Sequence, residues 1–124
     1  MATRQEVAGF LSDFKSAVRG GLCDYVPRAR NAQGLIDLGL KDFHEADPIL
    51  LGLDPDDYCQ GPEPDADRPG DDIWVFGAMV GTTEAYIKVK LIEDTRSGIG
   101  VRAKVLSFHA ADRPLAHPLR GGGT

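Results

Sequence analysis

From Glu84 to Ile92 the side chains alternate with a period of two, so that Tyr86, Lys88 and Lys90 fall on one side and Ile87, Val89 and Leu91 on the other. A strand that buries one face and wets the other gives this pattern, and a lone strand is unstable without neighbours to complete its ladder. Two neighbours are at hand. Ile73 to Phe76 is an aromatic and β-branched run closed by Gly77, and Gly81 with Thr82 supplies a turn into the alternating segment. Thr95 to Gly100 supplies the next turn, after which Gly100 to Phe108 returns as a third strand. Strict alternation there places Val101, Ala103, Val105, Ser107 and His109 on one face and Arg102, Lys104, Leu106 and Phe108 on the other. Antiparallel pairing brings His109 back to Tyr86, while a one-residue bulge decides which face His109 takes.

The first third of the chain has the other period. Val7, Phe10, Leu11, Phe14 and Val18 recur at helical spacing behind Thr3 and Glu6, a capping-box pair, and Gly20 and Gly21 end the helix. Cys23 to Val26 is a short extended piece ahead of Pro27, which disfavours helix at the residue before it. Asn31 is placed to cap a second helix carrying Ala32, Leu35, Ile36 and Leu38, ending near Gly39. Asp42 with Glu45 caps a further segment, and Asp47 before Pro48 begins another turn with Ile49 and Leu50. The expected fold is a single α+β domain over residues 1–120, with N-terminal helices packed on a small antiparallel sheet whose aromatic residues Trp74, Phe76 and Phe108 fill the core. Residues 121–124 are expected to be a flexible tail.

Charge is unevenly distributed. Residues 1–53 carry six Lys and Arg against seven Asp and Glu, residues 54–72 one against eight, and residues 73–124 seven against four. The net charge of −5 therefore comes from the middle stretch, which also holds four of the eight prolines and is expected to be an exposed loop. The strand half is cationic in spite of the acidic total. No apolar run approaches the roughly 20 residues of a membrane span, and the opening residues lack the pattern of a secretory leader, so the expected location is the cytoplasm. Cys23 and Cys59 form no Cys-x-x-Cys pair and are expected to be free thiols. Phosphate-loop, serine-elbow and His-Glu-x-x-His motifs are missing, which leaves nucleotide hydrolysis, serine esterase chemistry and zinc proteolysis without support.

Tyr86, Lys88 and Lys90 span about 14 Å of one strand face. Cleaving RNA without a metal or other cofactor takes three services: a group to remove the 2′-hydroxyl proton, one to protonate the leaving 5′-oxygen, and cations against the charge growing on phosphorus. His109 is the candidate proton carrier, Lys88, Lys90 and Arg102 the candidate phosphate ligands, and Tyr86 the group that hydrogen-bonds or stacks on a nucleotide. Lysines on an outward strand face also serve solubility and edge protection, and His44 is expected on the surface. His117 is assigned nothing beyond a weak phosphate contact. The acidic cluster of Asp65, Asp67, Asp71 and Asp72 offers two alternatives: a docking loop in a non-catalytic interaction module, or a hard-cation site in a metal-dependent phosphoesterase, although its spacing matches no EF-hand. The same cluster is expected to fold over the basic stripe.

The segments Ile73-Trp74-Val75, Ala85-Tyr86-Ile87-Lys88 and Val105-Leu106-Ser107-Phe108-His109 together resemble the MqsR-type toxins of bacterial toxin–antitoxin pairs. The likeness covers about residues 58–110, and the helical half agrees in order and rough length. It implies a RelE-like fold and an mRNA endonuclease that works without metal or ribosome and is held inactive by a cognate antitoxin. Tyr86 matches the family's strand tyrosine, and His109 falls where a basic residue follows Leu-Ser-Phe. The chain departs from the family at Val75, where the toxins place glutamine after the tryptophan, and at Cys59, where they place lysine after Tyr58. Cleavage specificity, the antitoxin and any homodimer are not encoded legibly.

Overall fold

The computed structural model describes residues 1–94 and 100–122. The elements among them run α1 (Arg4–Arg19), β1 (Cys23–Tyr25), α2 (Ala29–Asp37), α3 (Phe43–Leu51), β2 (Tyr58–Pro64), β3 (Asp72–Val80), β4 (Thr83–Asp94) and β5 (Gly100–Ala110). The strands form one sheet in the order β1-β5-β4-β3-β2, an α+β fold with helices packed on a sheet. The turn expected at Thr95 to Gly100 lies outside the described residues except for Gly100, which opens β5. Of the tail, Gly121 and Gly122 form a short 3-10 turn with Arg120, and residues 123 and 124 lie outside the described residues.

The local signals act as expected at two helix starts. Thr3 and Glu6 exchange hydrogen bonds as a capping box on α1, and the Asp42 carboxylate accepts from the Glu45 amide at the head of α3. One helix, not two, runs through Pro48 to Leu51. Val7, Leu11, Phe14 and Val18 of α1 and Ala46 and Leu50 of α3 pack on Trp74, Phe76, Ile87, Val89, Val105 and Phe108 of the sheet, with Phe10 stacked on Trp74 at 4.6 Å between centroids. Burying side chains of this size supplies about 1.5–3 kcal/mol each, which is what holds the helices to one face of the sheet.

Three expectations are corrected. The sheet is mixed, because the extended piece at Cys23 pairs parallel with β5, Cys23 opposite Ala103 and Tyr25 opposite Val105. Strands β2 to β5 are antiparallel neighbours, and the parallel edge is possible because more than seventy residues separate β1 from β5, ample for the crossover a parallel pair needs. The proline-rich stretch 54–72 is not all loop: it contains a 3-10 turn at Pro55–Asp57 and the whole of β2. Pro62 and Pro64 are tolerated because β2 is an edge strand, with one side free of ladder partners. Asn31 does not cap α2, which begins at Ala29 behind Arg28.

Asn31 instead closes the open edge of β5. Beyond Val105, β5 has lost its β1 neighbour, and the Asn31 amide takes the place of a strand. Its Nδ2 donates to the carbonyls of Leu106 (3.1 Å) and Val26 (2.9 Å), and its Oδ1 accepts from the Phe108 amide (3.2 Å). The side chain is buried. Asn31→Ala leaves a buried carbonyl and a buried N–H without partners, at about 1–3 kcal/mol each. The unfolding free energy from urea titration is expected to fall by about 2–4 kcal/mol, whereas the exposed Gln33→Ala stays within about 0.5 kcal/mol of wild type.

Candidate nucleic-acid interface

The face of the sheet opposite α1 and α3 carries the polar residues. In the β4–β5 ladder Tyr86 stands opposite His109 and Lys88 opposite Ser107, but the next pair is Val89 with Val105, so Leu106 is an extra residue in β5. That bulge shifts the alternation. Ala103 and Val105 face the core, and Phe108, not Ser107, continues their row, while Ser107 and His109 join Tyr86 and Lys88 on the open face. The face assignment made by strict alternation is thus corrected beyond Leu106. Directly opposed residues share a face, and the Tyr86 and His109 rings stack at 5.2 Å and 16°.

His109 Nδ1 lies 2.9 Å from the carbonyl oxygen of Ala110. A carbonyl only accepts, so Nδ1 carries hydrogen and Nε2 is left to exchange a proton. Burial, followed by the neighbouring Cys59 and Glu63, pushes the Tyr86 phenol above its ordinary pKa, so it remains a neutral donor and stacking surface.

These four residues line one side of a groove of about 480 Å³. The other side carries Arg28 and Arg30 from the head of α2 and Arg113 from the segment after β5. Arg30 pairs with Asp112 at 2.9 Å, both well exposed, an interaction of at most about 1 kcal/mol that a phosphate can displace. Among the described residues, Lys88, Arg28 and Arg113 make no ion pair. Four cations against the one Asp112 carboxylate leave the groove with an excess of positive charge, which favours a polyanion.

Two glycines bring the arginines in. A Cβ at Gly34 would stand 2.4 Å from the Phe108 carbonyl oxygen and 2.6 Å from His109 Cβ, so only glycine lets α2 press against β5. A Cβ at Gly77 would stand 2.6 Å from Leu115 Cδ1 and 3.0 Å from His117 Cε1. The segment following β5 crosses the sheet over that gap. Glu84 fastens it by accepting from the Leu115 amide (3.0 Å) and pairing with His117 Nε2 (2.8 Å). Burial alone would raise the Glu84 pKa, but the hydrogen bonds from His117 and Leu115 outweigh it and lower it. The His117 side chain is only 5% exposed, so it is a fastening group and not the phosphate contact the sequence suggested. His44 is exposed on α3, as expected.

Lys90 and Arg102, expected as phosphate ligands, are both elsewhere. Lys90 is buried, with Nζ 2.7 Å from Asp65 Oδ2 and 2.9 Å from Asp71 Oδ2. Its cross-strand neighbour is Lys104, and two opposed ammonium groups repel, so the acidic loop settles there and not over Lys88. Closure of the acidic stretch over the basic stripe is realised at Lys90 alone. Burial would pull the Lys90 pKa down, but the hydrogen bonds it donates to Asp65 and Asp71 carry it above its ordinary value. Asp65 is held low, by the Lys90 hydrogen bond first and the Asp67 amide second. Arg102 pairs with Asp24 at 3.2 Å and stands opposite Ile92, six residues along β4 from Tyr86, or about 20 Å.

The structure therefore gathers Tyr86, Lys88 and His109, discards Lys90 and Arg102, and adds Ser107, Arg28, Arg30 and Arg113. The Pro27-Arg28-Ala29-Arg30 cluster was the visible signal for two of the additions, but nothing local ties it to a strand almost eighty residues on. No family model, curated protein or solved structure matches the chain.

Asp65, with its lowered pKa, contributes stability that is present above the ordinary carboxylate value near 4 and lost as pH falls through the lowered value. Lys90→Met should lower the melting temperature at pH 7, and the gap to wild type should narrow on acidification below about pH 4 as both chains lose the carboxylates. On the RNA-binding reading proposed below, affinity by filter binding should change less than twofold in this variant, since Lys90 is sealed from the groove.

Proposed function

We propose that this chain is a metal-independent endoribonuclease acting on mRNA in the cytoplasm, the toxin of a toxin–antitoxin pair whose antitoxin blocks the groove. The observation that carries the reading is the Tyr86–His109 stack in a groove ringed by Lys88, Arg28 and Arg113. Those residues supply the three services that phosphodiester cleavage requires. A single-stranded nucleotide stacks against Tyr86, and its phosphate sits among the ammonium and guanidinium groups. His109 Nε2 exchanges the proton: the 2′-oxygen attacks phosphorus, the P–O5′ bond breaks, and the proton ends on the 5′-oxygen. The products are a 2′,3′-cyclic phosphate and a 5′-hydroxyl. Two of the three segments that resemble the MqsR-type toxins, those carrying Tyr86 with Lys88 and Ser107 with His109, line this groove, whereas Ile73-Trp74-Val75 does not and the arginines come from outside them.

The two alternatives receive less support. Asp65 and Asp71, the core of a would-be docking loop, direct their charge to Lys90. Among the described residues, no three His, Cys, Asp or Glu side chains gather as ligands for a metal ion.

Purified chain incubated with single-stranded RNA in EDTA should yield fragments with 5′-hydroxyl ends, and RNA carrying a 2′-deoxy residue at the cleaved position should resist. His109→Ala should slow cleavage by about 10²- to 10⁴-fold. Lys88→Ala and Arg113→Ala should each weaken RNA binding and flatten its salt dependence. RNA left intact at high protein concentration, or unchanged cleavage by His109→Ala, defeats the proposal.

A further inference from the structure

We propose that Cys59, His117 and Glu84 form a second reactive centre, a thiol nucleophile with its proton relay, that accepts small activated acyl groups from esters or thioesters. The three residues come from β2, the segment after β5, and the start of β4, and they meet in the order nucleophile, base, carboxylate. His117 Nδ1 lies 3.9 Å from Cys59 Sγ, and His117 Nε2 lies 2.8 Å from Glu84 Oε2. None of them lines the RNA groove.

Glu84 fixes the tautomer. Its carboxylate accepts from Nε2–H and from the Leu115 amide, so Nδ1 is the bare nitrogen facing sulfur. The imidazole cannot drift, because it is 5% exposed and fitted over Gly77, where a side chain would strike it. Among the described residues the thiol hydrogen has one other acceptor, the Asp57 carbonyl at 3.6 Å. Burial first, and then the Glu84 charge, pushes the Cys59 thiol up to about 11. The resting thiol is therefore neutral, and its proton moves during attack. A 3.9 Å separation is long for that transfer and must shorten when substrate arrives, as catalytic hydrogen bonds commonly do.

The chemistry balances without an oxidant or metal. Sulfur bonds to the acyl carbon while its proton passes to His117 Nδ1. The C–O bond of the ester (or C–S bond of the thioester) breaks, and Nδ1 returns the proton to the leaving oxygen or sulfur. Water then attacks the Cys59 thioester, giving its proton to Nδ1, and departure of sulfur with that proton restores the thiol and releases the carboxylic acid.

Cys23 is an internal reference: it is also half-buried, with its thiol pushed up to about 12, burial being the main cause, and no imidazole is hydrogen-bonded to it among the described residues. The full chain is treated with p-nitrophenyl acetate at neutral pH and quenched over time, and acetylation of each cysteine is read by peptide mass mapping. Acetyl-Cys59 should form at least tenfold faster than acetyl-Cys23. His117→Gln and Glu84→Gln should each cut the Cys59 rate by tenfold or more while leaving the Cys23 rate alone. If a variant loosens the fold, Cys23 speeds up as well, and the ratio in the wild-type chain then decides. Equal rates at the two cysteines in wild type, or a Cys59 rate unmoved in a His117→Gln chain whose Cys23 rate is also unmoved, overturns the proposal. RNA cleavage plays no part in this readout.

Discussion

One extra residue in β5 determines what the open face of the sheet can do. Without the bulge at Leu106, the ladder that sets Val105 against Val89 would carry strict alternation onward, sending His109 toward the helices and Phe108 into water. With it, the aromatic ring is buried and the imidazole meets Tyr86. A bulge breaks the ladder locally, and here the break faces the edge where β1 has ended. The Asn31 amide meets the carbonyl of the bulged residue and the amide two residues on. Bulge and asparagine are thus one device, since the buried groups the bulge leaves at this edge would be unsatisfied without the Asn31 amide. Gly34 belongs to the same device, because it permits the close helix approach that Asn31 needs.

Lys88 and Lys90 show how completely neighbours decide the use of a residue. They occupy the same strand and the same face, two positions apart. Lys90 stands opposite Lys104 and beneath the loop carrying Asp65 and Asp71, and becomes a buried structural cation. Lys88 stands opposite Ser107, makes no ion pair among the described residues, and remains available to a phosphate. A buried cation needs its partners to offset lost hydration, whereas an available one must lack them.

Much of this was legible from sequence, and the parts that were not share a cause. Period and capping are local, so α1, the head of α3, β3, β4, the core aromatics and the nearness of His109 to Tyr86 could all be read directly. The bulge is a one-residue event inside a run that looks regular, and it inverted half of β5. The parallel pairing of Cys23, the burial of Lys90 and the arrival of Arg28 and Arg30 depend on partners twenty to eighty residues away, for which spacing gives no signal. The prolines of β2 misled because proline forbids a central strand and not an edge one. His117 was passed over because a histidine in a proline-bearing tail looks solvated until Glu84 and Gly77 are seen beneath it.

Net charge is a poor guide to this surface for a physical reason. At physiological ionic strength, exposed charges more than about 8 Å apart are largely screened, so a phosphate entering the groove feels Lys88 and the nearby arginines and not the sum over the chain. The acidic stretch is further discounted, because Asp65 and Asp71 are already paired with Lys90. An acidic chain can therefore present a locally cationic groove, provided that its carboxylates are bound to cations of their own. What the acidic total does control is approach: at low salt, where screening reaches some 30 Å, the net charge of −5 slows encounter with a polyanion even though the groove attracts it. Two opposing dependences on salt follow from one charge distribution. If the groove takes RNA as proposed, added salt weakens its grip on phosphate and at the same time lifts the long-range repulsion, so association would be fastest at an intermediate ionic strength.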